Sequence, residues 1–252
     1  MKDHRKHAFV TGGGSGIGLA VARTLAAAGW RVTIAGRDRI KLDAALQSFP
    51  GRAETCDVTR AESVDAAIVS SAKAHGPIGL LVNNAGAVAP APFEKTADDA
   101  WQASLELNLM GAVRAVRAVL PAMRAAGWGR IVNIASTAGL IAYPYVAPYV
   151  AAKHALVGLT KSLALELAKT GITVNAVCPG YTQTPLLSAA AETVSRRSKR
   201  SLEEVSEVFV RANPQGRFVK PEEVAAAVLW LVSEEAAAVN GITLPIAGGE
   251  VS

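Results

Sequence analysis

The sequence predicts an α/β fold: a single domain on a doubly wound parallel β-sheet of about seven strands, with helices on both faces. Three observations predict it. Short β-branched runs alternate with longer Ala/Leu-rich stretches along all 252 residues, the pattern of strand–helix–strand units. Right-handed crossovers between parallel strands then lay helices on both faces. No internal repeat, low-complexity tract or linker divides the chain, so one domain spanning 1–252 is expected.

The first strand is expected at His7 to Thr11 and the first helix at Ile17 to Ala28, ended by Gly29 as a C-terminal cap. A second strand at Arg31 to Ala35 precedes a helix from Asp38 to about Gln47. Arg52 to Thr55 reads as a third strand, Ala61 to about His75 as a helix, and Leu80 to Asn83 as a fourth strand. A long helix follows from about Asp98 to Ala125, with Pro121 placed to bend its last turns. Arg130 to Ala135 is a fifth strand, Tyr149 to Lys169 a helix closed by Gly171, and Ile172 to Val177 a sixth strand. Helical segments are expected near 186–196, 202–212 and 221–232, and Ile242 to Ile246 is the last strand. The region 185–220, rich in Ser, Arg and Glu, reads as the least regular, and about 185–215 is a candidate mobile substrate lid.

Half of the residues are hydrophobic and 19% are charged, which excludes an intrinsically disordered chain. Alanine supplies 49 residues and glycine 22 against 5% aromatics, so close helix packing and tight turns are expected rather than a large aromatic core. Two cysteines, Cys56 and Cys178, make no disulfide framework and read as free buried thiols in a reducing compartment. The start, MKDHRKHAFV, lacks the apolar stretch of a secretory signal. No apolar run reaches the ~18–20 residues that span a bilayer. A soluble, cytoplasmic protein is expected. The net charge of +5 has two local clusters, KDHRKH at 2–7 and RRSKR at 196–200. Neither is interleaved with aromatics, and no helix-turn-helix or zinc-finger spacing is present, so no nucleic-acid partner is expected. His4, His7, His75 and His154 show no metal-ligand spacing with the cysteines, so no catalytic metal is expected.

Between the first strand and first helix lies TGGGSGIG, Thr11 to Gly18. Gly12, Gly16 and Gly18 let backbone approach a pyrophosphate, and Gly14, Ser15 and Ile17 complete the turn. The helix N-terminus then faces the anion with unpaired N–H groups. The bland alternative is a tight turn with close helix–sheet packing. Where an NAD-binding chain places an acid on the ribose 2′-hydroxyl, this one has Gly36 and then Arg37. Arginine suits a 2′-phosphate as a bidentate donor, so NADP(H) is favoured over NAD(H). The alternative leaves Arg37 solvated, with Asp38 on the ribose; Asp38 could also cap the next helix.

Tyr149 and Lys153, in Y-V-A-A-K, share one helix face at i, i+4. A free tyrosine, with a pKa of about 10, is a poor acid or base near neutrality. A nearby ammonium is expected to stabilise the phenolate and lower that value. Ser136 closes the fifth strand in N-I-A-S, where ligands bind in such sheets, and its hydroxyl could hold a carbonyl oxygen.

These pieces together resemble the short-chain dehydrogenase/reductase family. The similarity runs through TGGGSGIG, CDV at 56–58, NNAG at 83–86, N-L-M-G at 108–111, GRIVNIAS at 129–136, Y-V-A-A-K and CPG at 178–180, in matching order and spacing. The resemblance implies a Rossmann-type sheet of seven parallel strands, often in homotetramers, with a homodimer as the other assembly. It implies Tyr149 as general acid in ketone reduction and base in alcohol oxidation, with Lys153 on the nicotinamide ribose and lowering the tyrosine pKa. Ser136 would orient the substrate oxygen, and Asn108 would hold a water linking Lys153 to solvent. Asn84, Ala85 and Gly86 would line the adenosine side, with Asp57 and Val58 near the adenine. Pro179, Gly180, Thr182 and Thr184 would position the nicotinamide carboxamide, and the Ile17 backbone would touch the pyrophosphate. Bland alternatives stand beside these. Asn83 and Asn84 could satisfy backbone groups where the fourth strand ends, Asn108 could merely bend its helix, Cys178 could be buried filler, and His154 packing or surface.

Residues 127–185 look most like members acting on β-keto or β-hydroxy compounds: 3-oxoacyl-thioester reductases, polyketide ketoreductases and 3-hydroxybutyrate dehydrogenases. Arg196, Arg197, Lys199 and Arg200 follow the apolar Pro185–Leu187 stretch and could bind the phosphates of an acyl-CoA or acyl-carrier-protein substrate. Alternatively Glu203, Glu204 and Glu207 pair with them on a solvated helix. Tyr143, Tyr145 and Trp101 could shape the pocket or simply pack. The expected activity is ketone–alcohol interconversion on a small carbonyl or alcohol substrate. The alternatives are a broad-specificity carbonyl reductase and a catalytically silent dinucleotide-binding regulator.

Overall fold

The structure, a computed structural model, describes residues 6–251; His4 and most of the 2–7 basic cluster lie outside them. The strands are β1 (His7–Thr11), β2 (Arg31–Gly36), β3 (Arg52–Thr55), β4 (Leu80–Asn83), β5 (Gly129–Ile134), β6 (Ile172–Pro179) and β7 (Thr243–Ile246). They pair in parallel as one seven-stranded sheet, ordered β3-β2-β1-β4-β5-β6-β7. Residues of β1, β4, β5 and β6 are buried throughout. That is why these strands read as continuous apolar runs rather than alternating ones: helices cover both faces.

The helices are α1 (Gly16–Ala27), α2 (Arg39–Leu46), α3 (Ala61–His75), α4 (Asp98–Leu105), α5 (Gly111–Ala126), α6 (Ala147–Leu167), α7 (Pro185–Ser198), α8 (Leu202–Arg211) and α9 (Pro221–Leu231). Leu25, Leu42, Val224 and Leu231 of α1, α2 and α9 pack with Val10, Ile34 and Val82. Val64, Val119 and Leu167 of α3, α5 and α6 pack with Phe9, Leu81 and Ile131. Each large side chain so buried contributes about 1.5–3 kcal/mol. The chain reverses its strand order between β1 and β4, and a ligand cleft is expected beyond the strand ends at such a switch point.

Two segments differ from the sequence reading. The helix expected over 98–125 is interrupted at Glu106–Met110 by a π-helical turn between α4 and α5. Asn108 at its centre explains the break. Its Nδ2 donates to Ala87 O and Ser104 O, both at 3.0 Å, and its Oδ1 accepts from Ala87 N at 3.1 Å. The wider turn carries the buried amide inward to a separate loop. The second difference is partial: the helices expected near 186–196 and 202–212 are present as α7 and α8, and only the irregularity expected of 185–220 is missing over 185–211. Thr184 caps α7 with Pro185 in its first turn, and Ser201 and Glu204 form a capping box at α8. The Ser, Arg and Glu that suggest irregularity are caps and exposed faces.

Candidate active site

A cleft of about 1170 Å³ opens at the carboxyl ends of the strands. Its walls include Ile17, Asn84, Gly86, Ser136, Tyr149, Lys153, Pro179, Gly180, Thr182 and Thr184. Asn108, Asp57, Val58 and Arg37 stand outside those walls. Asn108 and Val58 border a small neighbouring cavity with Lys153. Trp101, for which pocket and packing roles were both open, packs edge-on against Phe93 with ring centroids 6.4 Å apart. It belongs to a helix whose residues are not buried, so its ring finds a partner at the surface.

The glycine turn is closely packed and open to no larger side chain at Gly12 and Gly18. Gly12 has φ +65° and Gly16 φ +53°, a region favouring glycine. A Cβ on Gly18 would stand 2.4 Å from Gly12 O, and one on Gly16 would stand 3.1 Å from the Thr184 methyl. Gly14 and the exposed Ser15 lead into α1, and Ser15 makes no capping bond with its side chain. The first N–H groups of α1 therefore remain available, which suits a diphosphate. Asn84 braces this turn: its Nδ2 donates to Thr11 O at 3.0 Å and Gly12 O at 3.1 Å. The Asn84 and Ala85 backbones both donate to Thr11 Oγ1. Backbone satisfaction is thus what the Asn84 side chain does here.

At the end of β2, Asp38 caps α2 by accepting from Lys41 N at 3.1 Å. Arg37 is exposed, and its side chain makes no hydrogen bond among the described residues. Asp57 Oδ1 accepts from Thr59 Oγ1 and Thr59 N, which hold the carboxyl below its ordinary range, with the Arg37 charge adding to them. Val58 is buried against Gly111.

The structure brings Ser136, Tyr149 and Lys153 together. Ser136 begins a short turn after β5 and lies within hydrogen-bonding reach of the Tyr149 hydroxyl. Lys153 Nζ sits 5.6 Å from the Tyr149 ring centroid, one turn along α6, and donates to Ile134 O at 2.8 Å. A Cβ on Gly86 would stand 2.7 Å from Asn108 Oδ1 and 3.8 Å from Lys153 Nζ, so three chain segments meet at this glycine. Burial pushes Tyr149 up to about 12, a shift the Ser136 hydrogen bond opposes, and pushes Lys153 down to about 8. Desolvation thus places the tyrosine above its ordinary value, against the lowering expected from a neighbouring ammonium. Cys178 is buried beside this set and its thiol is pushed up to about 11 by that burial. His154 faces solvent and bonds Val150 O.

The substrate side holds groups that sequence reading did not reach. Tyr143 and Tyr145 line the cleft as expected, but Tyr181 and Phe209 complete an aromatic wall. Tyr181 stacks on Phe209 at 4.6 Å and meets Tyr143 edge-on at 6.0 Å. Behind the wall, Tyr143 OH donates to Glu250 Oε1 at 2.5 Å, with Thr137 Oγ1 2.7 Å from the same hydroxyl. Glu250 lies 107 positions from Tyr143, and no local pattern could pair them. At the mouth stand the exposed Lys95, Arg197 and Arg200. Arg197 donates to Pro90 O, while Glu204 is used in the α8 cap and Glu207 pairs with Arg211. Among the described residues, the expected glutamate pairing with Arg196, Arg197, Lys199 and Arg200 does not form.

The chain is similar to known proteins over most of its length. The family model described as short chain dehydrogenase matches residues 6–195. D-beta-hydroxybutyrate dehydrogenase of Rhizobium meliloti (strain 1021) is 38% identical over 252 residues, covering 97% of this chain and 98% of that protein. Acetoacetyl-CoA reductase of Shinella zoogloeoides is 39% identical, covering 96% of this chain and 97% of its own. Among solved structures, a variant of actinorhodin polyketide ketoreductase with NADPH superposes with a TM-score of 0.93 at 41% identity, covering 97% of each chain.

Proposed function

Because the chain belongs to the short-chain dehydrogenase family, oxidoreductases acting on CH–OH groups, we propose that it is an NADP(H)-preferring oxidoreductase that interconverts 3-oxoacyl and 3-hydroxyacyl thioesters. The observation that carries the substrate reading is the charge layout of the cleft. Val88, Ala138, Val146, Leu186 and Leu187 line the cleft with Ser136 and Tyr149, and the charged side chains Lys95, Arg197 and Arg200 that also line it are exposed. A free 3-hydroxy acid would bring its carboxylate two carbons from the reacting centre, into apolar surroundings, at a cost of several kcal/mol. A thioester carries no charge there and leaves the phosphates of its carrier at the basic rim. Arg37, with Asp38 occupied as a helix cap, supports NADP(H).

On this reading Gly12, Gly14, Ser15, Gly16, Ile17 and Gly18 hold the diphosphate, and Arg37 the 2′-phosphate. Asp57, Val58, Asn84, Ala85 and Gly86 surround the adenosine, and Pro179, Gly180, Thr182 and Thr184 the nicotinamide end. The coenzyme supplies the hydride. Ser136 holds the carbonyl oxygen, and Tyr149 gives that oxygen a proton in reduction and takes it back in oxidation. Lys153 steadies the phenolate, and Asn108 lies on the proton route to solvent. The helices over 185–215 act as the lid. The protein works as a cytoplasmic homotetramer or homodimer.

A second reading, reduction of cyclic or aryl ketones, draws on the aromatic wall of Tyr143, Tyr181 and Phe209. Nicotinamide absorbance during reduction of acetoacetyl-CoA, with NADPH and NADH in parallel, decides between these readings. Fast NADPH consumption is expected. Consumption with NADH alone would overturn the coenzyme assignment, and silence with acetoacetyl-CoA beside turnover of cyclic ketones would favour the second reading. Coenzyme binding without turnover of any carbonyl would leave a silent regulator.

A further inference from the structure

The last residues of the chain return to the cleft. Gly248 and Gly249 have φ +62° and +97°, and this double turn folds the segment back on β7 so that Glu250 N donates to Ala247 O at 3.2 Å. The turn is seated on the end of the lid. A Cβ on Gly248 would stand 2.0 Å from Asn213 Oδ1, and one on Gly249 would stand 3.5 Å from Pro214. Asn213 and Pro214 directly follow α8, which carries Phe209 onto Tyr181.

Glu250 then touches both walls of the cleft from behind without lining it. Oε1 accepts from Tyr143 OH, the substrate wall. Oε2 is buried with no hydrogen-bond partner among the described residues, and a Cβ on Gly180 would stand 2.6 Å from it. Tyr143 has one hydroxyl proton. With that proton on Glu250, its oxygen can only accept, and Thr137 Oγ1 is 2.7 Å away to donate. The phenol is thereby fixed at both its donor and acceptor functions, and its ring, not its O–H, is presented to the cleft. An unfixed Tyr143 would offer a competing donor in the same cleft as Ser136 and Tyr149.

We propose that Glu250 is a positioning residue of the substrate pocket: acting through the Tyr143 hydroxyl, it locks the aromatic wall and so sets substrate affinity. This rests on the reading of the cleft as a carbonyl-substrate site. Its consequence is that Glu250 governs KM for the ketone, while hydride transfer and coenzyme affinity stay with other residues.

The test is a double-mutant cycle of Glu250→Ala and Tyr143→Phe, read two ways. One is steady-state kinetics with ethyl acetoacetate at saturating NADPH. The other is the Kd of the fluorescent amphipathic anion 1-anilinonaphthalene-8-sulfonate, whose aromatic rings seek apolar surface, for the coenzyme-free protein. Each single variant should raise KM and probe Kd at least fivefold with kcat within twofold, and the double variant should be no worse than either single. Glu250→Gln, whose amide oxygen still accepts from Tyr143, should recover most of the loss. It also serves if the alanine variant does not fold. Additive effects, a fall in kcat at unchanged KM, or no recovery with glutamine would overturn the proposal. If the wild type reduces no carbonyl yet the probe cycle is non-additive, the functional reading falls and the positioning role stands.

Discussion

Replacing Lys153 by methionine tests whether the Tyr149–Lys153 pair works as a proton donor and acceptor. Nζ lies 5.6 Å from the tyrosine ring centroid. At an effective dielectric constant of about 20, a unit charge at that distance stabilises a phenolate by about 3 kcal/mol, or about two pKa units. Burial sets the two groups at about 12 and about 8 in the coenzyme-free protein. They share one environment, so the pair loses its first proton near the lower value, and that proton deficit can reside on either group. With methionine only the phenol remains, at the higher value. The assay is the pH profile of kcat/KM for alcohol oxidation, where activity rises as the pair deprotonates. The rising limb of the variant should lie at least about two pH units above that of the wild type. Methionine keeps the length of the buried stem, so the fold should survive, and NADP+ is held saturating to compensate for weaker ribose contacts. A variant with lower kcat/KM but an unshifted limb would refute the reasoning, since Lys153 would then hold coenzyme without acting on Tyr149.

Arg37→Ala should weaken NADPH about tenfold or more while leaving NADH nearly unchanged, because a charge-assisted contact of about 1.5–3 kcal/mol is available only to the 2′-phosphate; equal losses in a binding titration would reject that role. Gly18→Ala places a Cβ 2.4 Å from Gly12 O; it should destabilise the fold by about 1–3 kcal/mol in urea unfolding and weaken NADPH binding, since the coenzyme turn must shift. The buried His7 bonds Gly76 O, Thr33 and Ser71, and burial lowers its pKa to about 4 from 6.5. Its neutral form is the folded one, so its contribution is complete above pH 6.5 and is lost as pH falls toward 4. The loss should be about 2 kcal/mol by pH 5 and about 3 kcal/mol by pH 4. Denaturant midpoints across that window for the wild type and His7→Gln would show it, and parallel curves would exclude His7 as the cause.

Local chemistry and pattern were enough for the strands, for most helices and for the grouping of Ser136, Tyr149 and Lys153 in one cleft. Apolar runs such as Leu80–Asn83 declare buried strands because both faces are covered. The glycines of Thr11–Gly18 mark a turn that other residues cannot occupy, and the i, i+4 spacing of Tyr149 and Lys153 survives in any α-helix. A break inside a helix is harder to read. Locally Asn108 reads only as a residue that could bend its helix; that it widens the turn depends on Ala87, which arrives from another segment.

The same division runs through the cleft. Family, sheet and reaction type follow from residues that act within one strand or one helix turn, and those the sequence by itself determined. The actual protonation levels of Tyr149 and Lys153 depend on how much protein surrounds them, which only the folded chain decides. The aromatic wall likewise needs Tyr143, Tyr181 and Phe209 from three separate loops and helices. Glu250 reaches Tyr143 across 107 positions through a glycine turn seated on Asn213. Periodicity and spacing carry information over one element at most. Contacts between elements are set by how the layers pack, so the substrate side of this site belongs to the tertiary structure.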